Sequence, residues 1–254
     1  MEKIVPLNRL ITEGYGSIVC YPKFDAEELN RRLKEMKQLG IKALWFKGEK
    51  MINNVPVLGK GYVGIVVLAE TASETIALKI RRTDSGRTAM KHEAEMLRTA
   101  NFVDVGPRLH GFTENLLTME FVEGPFLPVW IDALGNTEDD RQRLRKVLRD
   151  ILEQCWRLDE VGLDHGELSR APKHIIVRYS DEACILDFET SSVSRRVSNV
   201  TSICQFLFMR GKTVESIARR IGAIDEKRLL SALRTYKRNR NRHSFEKVLK
   251  ACRL

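Results

Sequence analysis

Two regimes of hydrophobic patterning predict an α+β chain built in two parts. Up to about residue 122, short β-branched and apolar runs such as Ile65-Val66-Val67-Leu68-Ala69 and Ile76-Ala77-Leu78-Lys79-Ile80 are separated by polar turns, as strands are. Beyond residue 123, Leu144, Val147, Leu148, Ile151, Leu152, Cys155 and Trp156 recur at three- and four-residue spacing, which marks a helix with one buried face. A chain of 254 residues with 43% hydrophobic and 30% charged content has enough apolar surface for a substantial core.

Within 1–40 the pattern predicts an N-terminal helical extension. Asp25 stands as an N-cap with Glu28 three residues on, Leu29, Leu33 and Met36 share one face, and Gly40 stops the helix. Ile41–Phe46 reads as a strand that opens a region spanning 41–122, and Val55-Pro56-Val57-Leu58 leads on from it. The stretch Gly59-Lys60-Gly61-Tyr62-Val63-Gly64 follows. A dinucleotide-binding glycine turn opens a helix, whereas this one runs into the strand Ile65–Ala69, so it joins two strands and suits folding over phosphates. Glycine there lets backbone N–H groups approach phosphate oxygens.

Lys79 interrupts the next strand, and a buried ammonium requires a counter-charge. Glu93 supplies one, because it shares a helix face with Ala89, Met90, Met96 and Leu97. Asn115–Val122 is a further apolar strand, running into Glu123-Gly124-Pro125. In the region 123–254, Thr137 with Asp140 opens the long helix, which delivers the chain to His165-Gly166-Glu167-Leu168. Ile175-Ile176-Val177 and Ile185-Leu186-Asp187-Phe188-Glu189 then read as a β-hairpin presenting two carboxylates, Glu167 and Asp187, at one mouth.

Taken in order, the glycine loop, strand Lys79, helix Glu93, His-Gly-Glu-Leu and Asp-Phe-Glu resemble the motifs of the protein-kinase-like superfamily over about residues 55–210. The nearest types are RIO and Kae1-associated kinases and the predicted archaeal serine/threonine kinases. The resemblance implies a two-lobed fold, with a β-rich N-lobe holding one helix (41–122) and a mostly helical C-lobe (123–254). It implies phosphoryl transfer from ATP with Mg²⁺, or Mn²⁺, to Ser or Thr of a protein. Gly59, Gly61, Gly64 and Val66 would cover the nucleotide, and Lys79 paired with Glu93 would hold its phosphates. Backbone groups near Glu120 and Val122 would bond adenine. Glu167 would orient the acceptor hydroxyl and Asp187 would bind metal. The family carries Asp where Glu167 stands, and a metal-binding Asn five residues later. Here Pro172 is five residues on; with two residues inserted, His174 takes that place as the auxiliary metal ligand. These departures leave two alternatives open, an ATP-binding pseudokinase acting as a scaffold and a small-molecule kinase. No Ala-Pro-Glu signal follows the hydroxyl-rich stretch Thr190–Ser198.

The last third is helical by pattern, with segments 213–222 and 225–236. From Arg234 to Leu254 eight Lys or Arg face one acid, Glu246, so this stretch carries +7 of the net +9. Such density suits a phosphate backbone, and RNA or ribosomal contact is the expected alternative to a solvated basic tail. Five scattered cysteines without CxxC spacing fit a reducing compartment, and no apolar run is long enough for a membrane span. A cytoplasmic protein is expected.

Overall fold

The structure, a computed structural model, describes residues 2–86, 88–209 and 211–254. The chain divides into two compact units: residues up to Arg98 with Pro107–Phe121, and Thr99–Gly106 with Val122–Leu254. The first is rich in sheet and the second mostly helical, a mixed α+β chain.

The first unit contains β1 (Lys3–Pro6), α1 (Gly16–Val19), α2 (Ala26–Gln38), β2 (Ala43–Phe46), β3 (Lys50–Ile52), β4 (Val55–Val57), β5 (Gly59–Lys60), β6 (Gly64–Glu70), β7 (Thr75–Arg81), α3 (Ala89–Asn101) as far as Arg98, β8 (Leu109–Phe112) and β9 (Leu116–Glu120). Seven strands form one sheet in the order β1-β2-β6-β7-β9-β8, with β5 also on β6. β2 and β5 share one edge of β6, because Ala43–Trp45 pair with its last residues and Gly59–Lys60 with its first. Strand alternation divides the sheet into two faces. Ile65, Val67, Ile76, Leu78 and Ile80 join Leu29 and Met36 of α2 in the main core. On the opposite face, Leu117 packs with Met90 and Ala94 of α3. Val66, Lys79 and Leu117 are register partners across β6, β7 and β9, so all three project on the α3 side.

Residues 1–40, expected as an extension, are integral to this unit: β1 pairs β2 with Val5 opposite Leu44, and α2 buries Leu29, Arg32 and Met36. The Asp25 carboxylate caps α2 by accepting from the Glu28 amide at 2.7 Å. Arg32, fully buried, donates to Glu28 (2.7 Å), to the Val19 carbonyl (2.5 Å) and to the Arg81 carbonyl (2.6 Å). Arg81 in turn donates to the Asn115 carboxamide oxygen (2.6 Å), and Asn115 donates its amide to Glu35 (3.0 Å). This buried polar chain ties α2 to β7 and to the turn before β9.

The second unit contains α4 (Leu127–Ala133), α5 (Glu138–Val161), β10 (Ile175–Val177), β11 (Ala183–Ile185), α6 (Asn199–Phe208), α7 (Lys212–Ile221), α8 (Glu226–Arg238) and α9 (Arg242–Ala251). Thr137 and Asp140 form a reciprocal capping box at the start of α5, and Gly162 ends it in the left-handed conformation. The apolar stripe Leu144 to Cys155 is buried. Asp159 on the same helix accepts from the Asn199 amide (2.9 Å) and from the Tyr236 hydroxyl (2.8 Å), joining α5 to α6 and α8. The basic stretch at the C-terminus is not a loose tail. α9 buries Phe245, Val248 and Leu249, and Phe245 stacks on Trp156 of α5 with ring centroids 5.6 Å apart. All five cysteines are buried and free. Among the described residues no helix is long and apolar enough to cross a membrane.

Candidate functional site

In the first unit the glycine stretch is a tight β-turn between β5 and β6, in which the Gly61 amide donates to the Gly64 carbonyl at 2.8 Å. Arg82 holds the turn down, donating its backbone amide to the Val63 carbonyl (2.7 Å) and its guanidinium to the Gly61 carbonyl (3.2 Å). The three glycines are not equivalent. A Cβ on Gly64 would lie 3.0 Å from Lys79 Cγ and 3.0 Å from the Ile80 carbonyl, whereas on Gly59 or Gly61 it would meet nothing closer than 3.5 Å. Gly64 is therefore glycine because the stem of Lys79 passes directly beside it. Gly59 stands opposite Val66, which stands opposite Lys79, so these three form one transverse row.

Lys79 Nζ lies 2.7 Å from Glu93 Oε2, and both side chains are nearly buried, at 6% and 3% exposure. The pair arises because Lys79 is the charged member of the α3-facing row and Glu93 is on the helix face that packs there. Glu120 closes β9; its amide donates to the Arg108 carbonyl (2.8 Å) and its carboxylate accepts from the Arg108 amide (3.2 Å). Val122 is buried.

In the second unit β10 and β11 pair antiparallel with Ile175 opposite Ile185, and the Leu186 amide donates to the His174 carbonyl at 2.8 Å. His174 thus sits at the open end of the hairpin beside Asp187. A short 3₁₀ turn, Leu168–Arg170, and a further turn from Ala171 to His174 carry the chain from Glu167 to that strand. His174 Nε2 lies 3.1 Å from Glu167 Oε2, and its Nδ1 lies 3.9 Å from Asp187 Oδ2, too far for a hydrogen bond. The imidazole stands between two carboxylates that are each about two-fifths exposed, at 42% and 43%. Asp187 adopts φ +68°, a left-handed conformation that Asp tolerates better than most residues and that concentrates strain at the site.

The surrounding shell holds this geometry. Asp164 accepts from Arg195 Nε (2.7 Å) and the Ser198 amide (2.8 Å). Gly166 has φ +91°, and a Cβ there would meet Arg195 Nη2 at 2.6 Å. His165 is fully buried, with Nε2 3.0 Å from the Leu186 carbonyl and its ring 5.2 Å from that of Phe188. Burial holds its pKa down to about 4, against the opposing pull of the Leu186 carbonyl. It is therefore neutral at pH 7, and Nε2 carries the hydrogen that Leu186 accepts. The roles of His165 and Arg82 had no separate mark in the sequence, since each takes its meaning from a carbonyl contributed by a distant segment.

The side-chain ligand atoms of Glu167, His174 and Asp187 all lie within 4.8 Å of one another. Glu167, expected only to orient a hydroxyl, thus joins the two residues expected as metal ligands. Two carboxylates and an imidazole fit a divalent cation, and a hard ion such as Mg²⁺ would engage it through the carboxylate oxygens. The C-terminal cations are partly spent within the fold: Arg242 pairs with Glu153 at 2.6 Å and with Glu246 at 2.6 Å.

The described residues define a mixed α+β protein with a buried Lys–Glu pair under a glycine turn and a carboxylate–imidazole–carboxylate cluster on a hairpin. No family model matches the chain. Over 109 residues, 42% of its length, it is 30% identical to the uncharacterized protein MJ1211 of Methanocaldococcus jannaschii, of which the match covers 88%. The chain belongs to the same family as that protein.

Proposed function

We propose that this chain is a two-lobed, protein-kinase-like phosphotransferase of the RIO type, moving the γ-phosphoryl group of ATP to a Ser or Thr hydroxyl of a protein. The observation that carries the reading is the Lys79–Glu93 ion pair, 2.7 Å long and almost completely buried beside Gly64. A buried ion pair rarely stabilises a fold more than apolar residues of the same volume would, so its presence in an apolar layer points to a task for the ammonium. In this reading Lys79 holds the ATP phosphates, Glu93 fixes its position, and the turn Gly59–Gly64 with Val66 covers the nucleotide. Backbone groups near Glu120 and Val122 receive adenine.

Asp187 and Glu167 would hold the metal, with His174 beside them. When bound, the ion offsets the negative charge of the phosphates. His174 holds Glu167 by its Oε2 and leaves Oε1 without a hydrogen-bond partner among the described residues, available to orient the acceptor hydroxyl. The test is incubation of purified protein with γ-labelled ATP and Mg²⁺ or Mn²⁺, following label on protein. Lys79→Ala and Asp187→Ala are each expected to abolish transfer while circular dichroism stays unchanged; full activity in the Asp187 variant would sink the assignment. Nucleotide binding without turnover in the wild type would instead mark a pseudokinase.

A further inference from the structure

Beyond the residues just assigned, the second unit carries a small cleft of about 130 Å³ where the start of α6 meets the end of α8. Arg196, Lys237, Arg240 and Thr201 line it, with Asp159 and Tyr236 deeper in. Pockets for drug-sized ligands run to about 300–1,000 Å³, so this one suits a single small group. The three cations make no ion pair among the described residues, although charged neighbours do: Arg195 pairs with Asp164 at 2.7 Å and Arg242 with Glu153 at 2.6 Å. Arg196 donates one hydrogen bond, to the Lys237 carbonyl at 3.3 Å. Asp159 is not their counter-ion. It is 5% exposed and already accepts from the Asn199 side chain (2.8 Å) and the Tyr236 hydroxyl (2.8 Å).

Three cations lining a cleft of this size ask for more than one negative charge there. We infer that the cleft binds a phosphomonoester group, which carries close to two negative charges at neutral pH. A nucleic-acid backbone presents single charges in a row and would be met by cations spread along a surface. The inference stands apart from the phosphotransferase reading, since none of its residues belongs to that machinery.

The experiment uses the full chain at constant ionic strength, titrated with inorganic phosphate, then O-phosphoserine, then a serine-phosphorylated peptide, with chloride as the reference, following melting temperature and calorimetric heat. Saturable binding of phosphate and of phosphoserine is expected, weakened about tenfold or more by Arg196→Gln and again by Arg240→Gln, each loss corresponding to a charge-assisted contact. Arg238→Gln, on the same helix end but outside the cleft, and Asp187→Ala should bind as the wild type does. If only the peptide gains affinity beyond free phosphate, the source is a phosphoprotein; equal affinity for all three assigns a free phosphomonoester. The inference fails if chloride acts as phosphate does, if the double variant still binds, or if binding disappears in Lys79→Ala and not in Arg196→Gln. It fails equally if Arg196→Gln lowers stability by the same amount with and without phosphate, which would make these cations a cap on the end of α8. Binding confined to RNA with a steep salt dependence would overturn it in favour of a polyelectrolyte track.

Discussion

At the scale of single residues, His174 is the position where structure changes the expectation most. As a replacement for an oxygen ligand it would be poor, but its Nε2 lies 3.1 Å from Glu167 while its Nδ1 is 3.9 Å from Asp187, so its firm contact is with the other carboxylate. In the phosphotransferase reading proposed above it would position Glu167. His174→Ala should lower kcat about tenfold or more with only a smaller rise in the metal concentration at half-maximal rate, since Glu167 is itself one of the two proposed metal carboxylates, a split that steady-state kinetics over a Mg²⁺ series would read. A large shift in metal requirement with little change in kcat would make it a ligand instead. His165 makes a separate, pH-dependent contribution. The folded imidazole titrates at about 4 and the unfolded one near 6.5, so between those values the unfolded chain binds a proton that the folded chain does not. Stability is full above about 6.5 and falls as pH drops towards 4, by up to about 3 kcal/mol. Urea unfolding from pH 7.5 to 4 should show that slope, and His165→Phe should flatten it; an unchanged slope in the variant would assign the acid sensitivity elsewhere.

At the scale of elements, α2 is bound to the sheet through charge as well as apolar packing. Removing Arg32 would leave the Glu28 carboxylate and the Val19 and Arg81 carbonyls without their buried donor. Loss of one partner from a buried ionic network costs about 3–5 kcal/mol, so Arg32→Met should lower the denaturation midpoint by that equivalent, measured in guanidinium chloride. A loss below 1 kcal/mol would mean the methionine packs as well as the network did. This network was invisible in the sequence, because an arginine on the apolar stripe of α2 looks like any helix-surface charge until Asn115 and Arg81 arrive from later segments. Local signals fared better: the Asp25 cap, the Thr137 and Asp140 box and the α5 stripe were all legible, because capping and periodicity are fixed by neighbours in the chain. β1 was missed, being four residues that end in Pro6 and gain their stability only by pairing with β2. α9 had a readable signal in Asn241 and in Phe245, Val248 and Leu249, and it was hidden by the density of cations around it. The Lys79–Glu93 contact was legible because each residue interrupts an apolar face. The placement of His174 between the two carboxylates, in contact with Glu167 only, was not, since it depends on how the turn Ala171–His174 closes.

At the scale of the whole molecule, a net charge of +9 favours anionic ligands in general and so cannot by itself tell nucleotide binding from attraction to any polyanion. Ligand-linked stability can. A ligand that binds only the folded chain adds about 2.7 kcal/mol at one hundred times its Kd, and for chains of this size that raises the melting temperature by about 5–10 °C. ATP should give such a shift, saturating with concentration. Lys79→Met should abolish it, because the buried ammonium is the proposed phosphate ligand, whereas a merely electrostatic effect of +9 would lose only one charge in nine. Asp187→Ala should keep the shift with ATP alone and lose the further increment that Mg²⁺ supplies in the wild type. Scanning fluorimetry on the three proteins, with and without metal, separates these outcomes. A wild-type shift that survives in Lys79→Met, or that an equal concentration of inorganic triphosphate reproduces in both proteins, would place nucleotide recognition outside the glycine turn and withdraw the phosphotransferase reading at its first step.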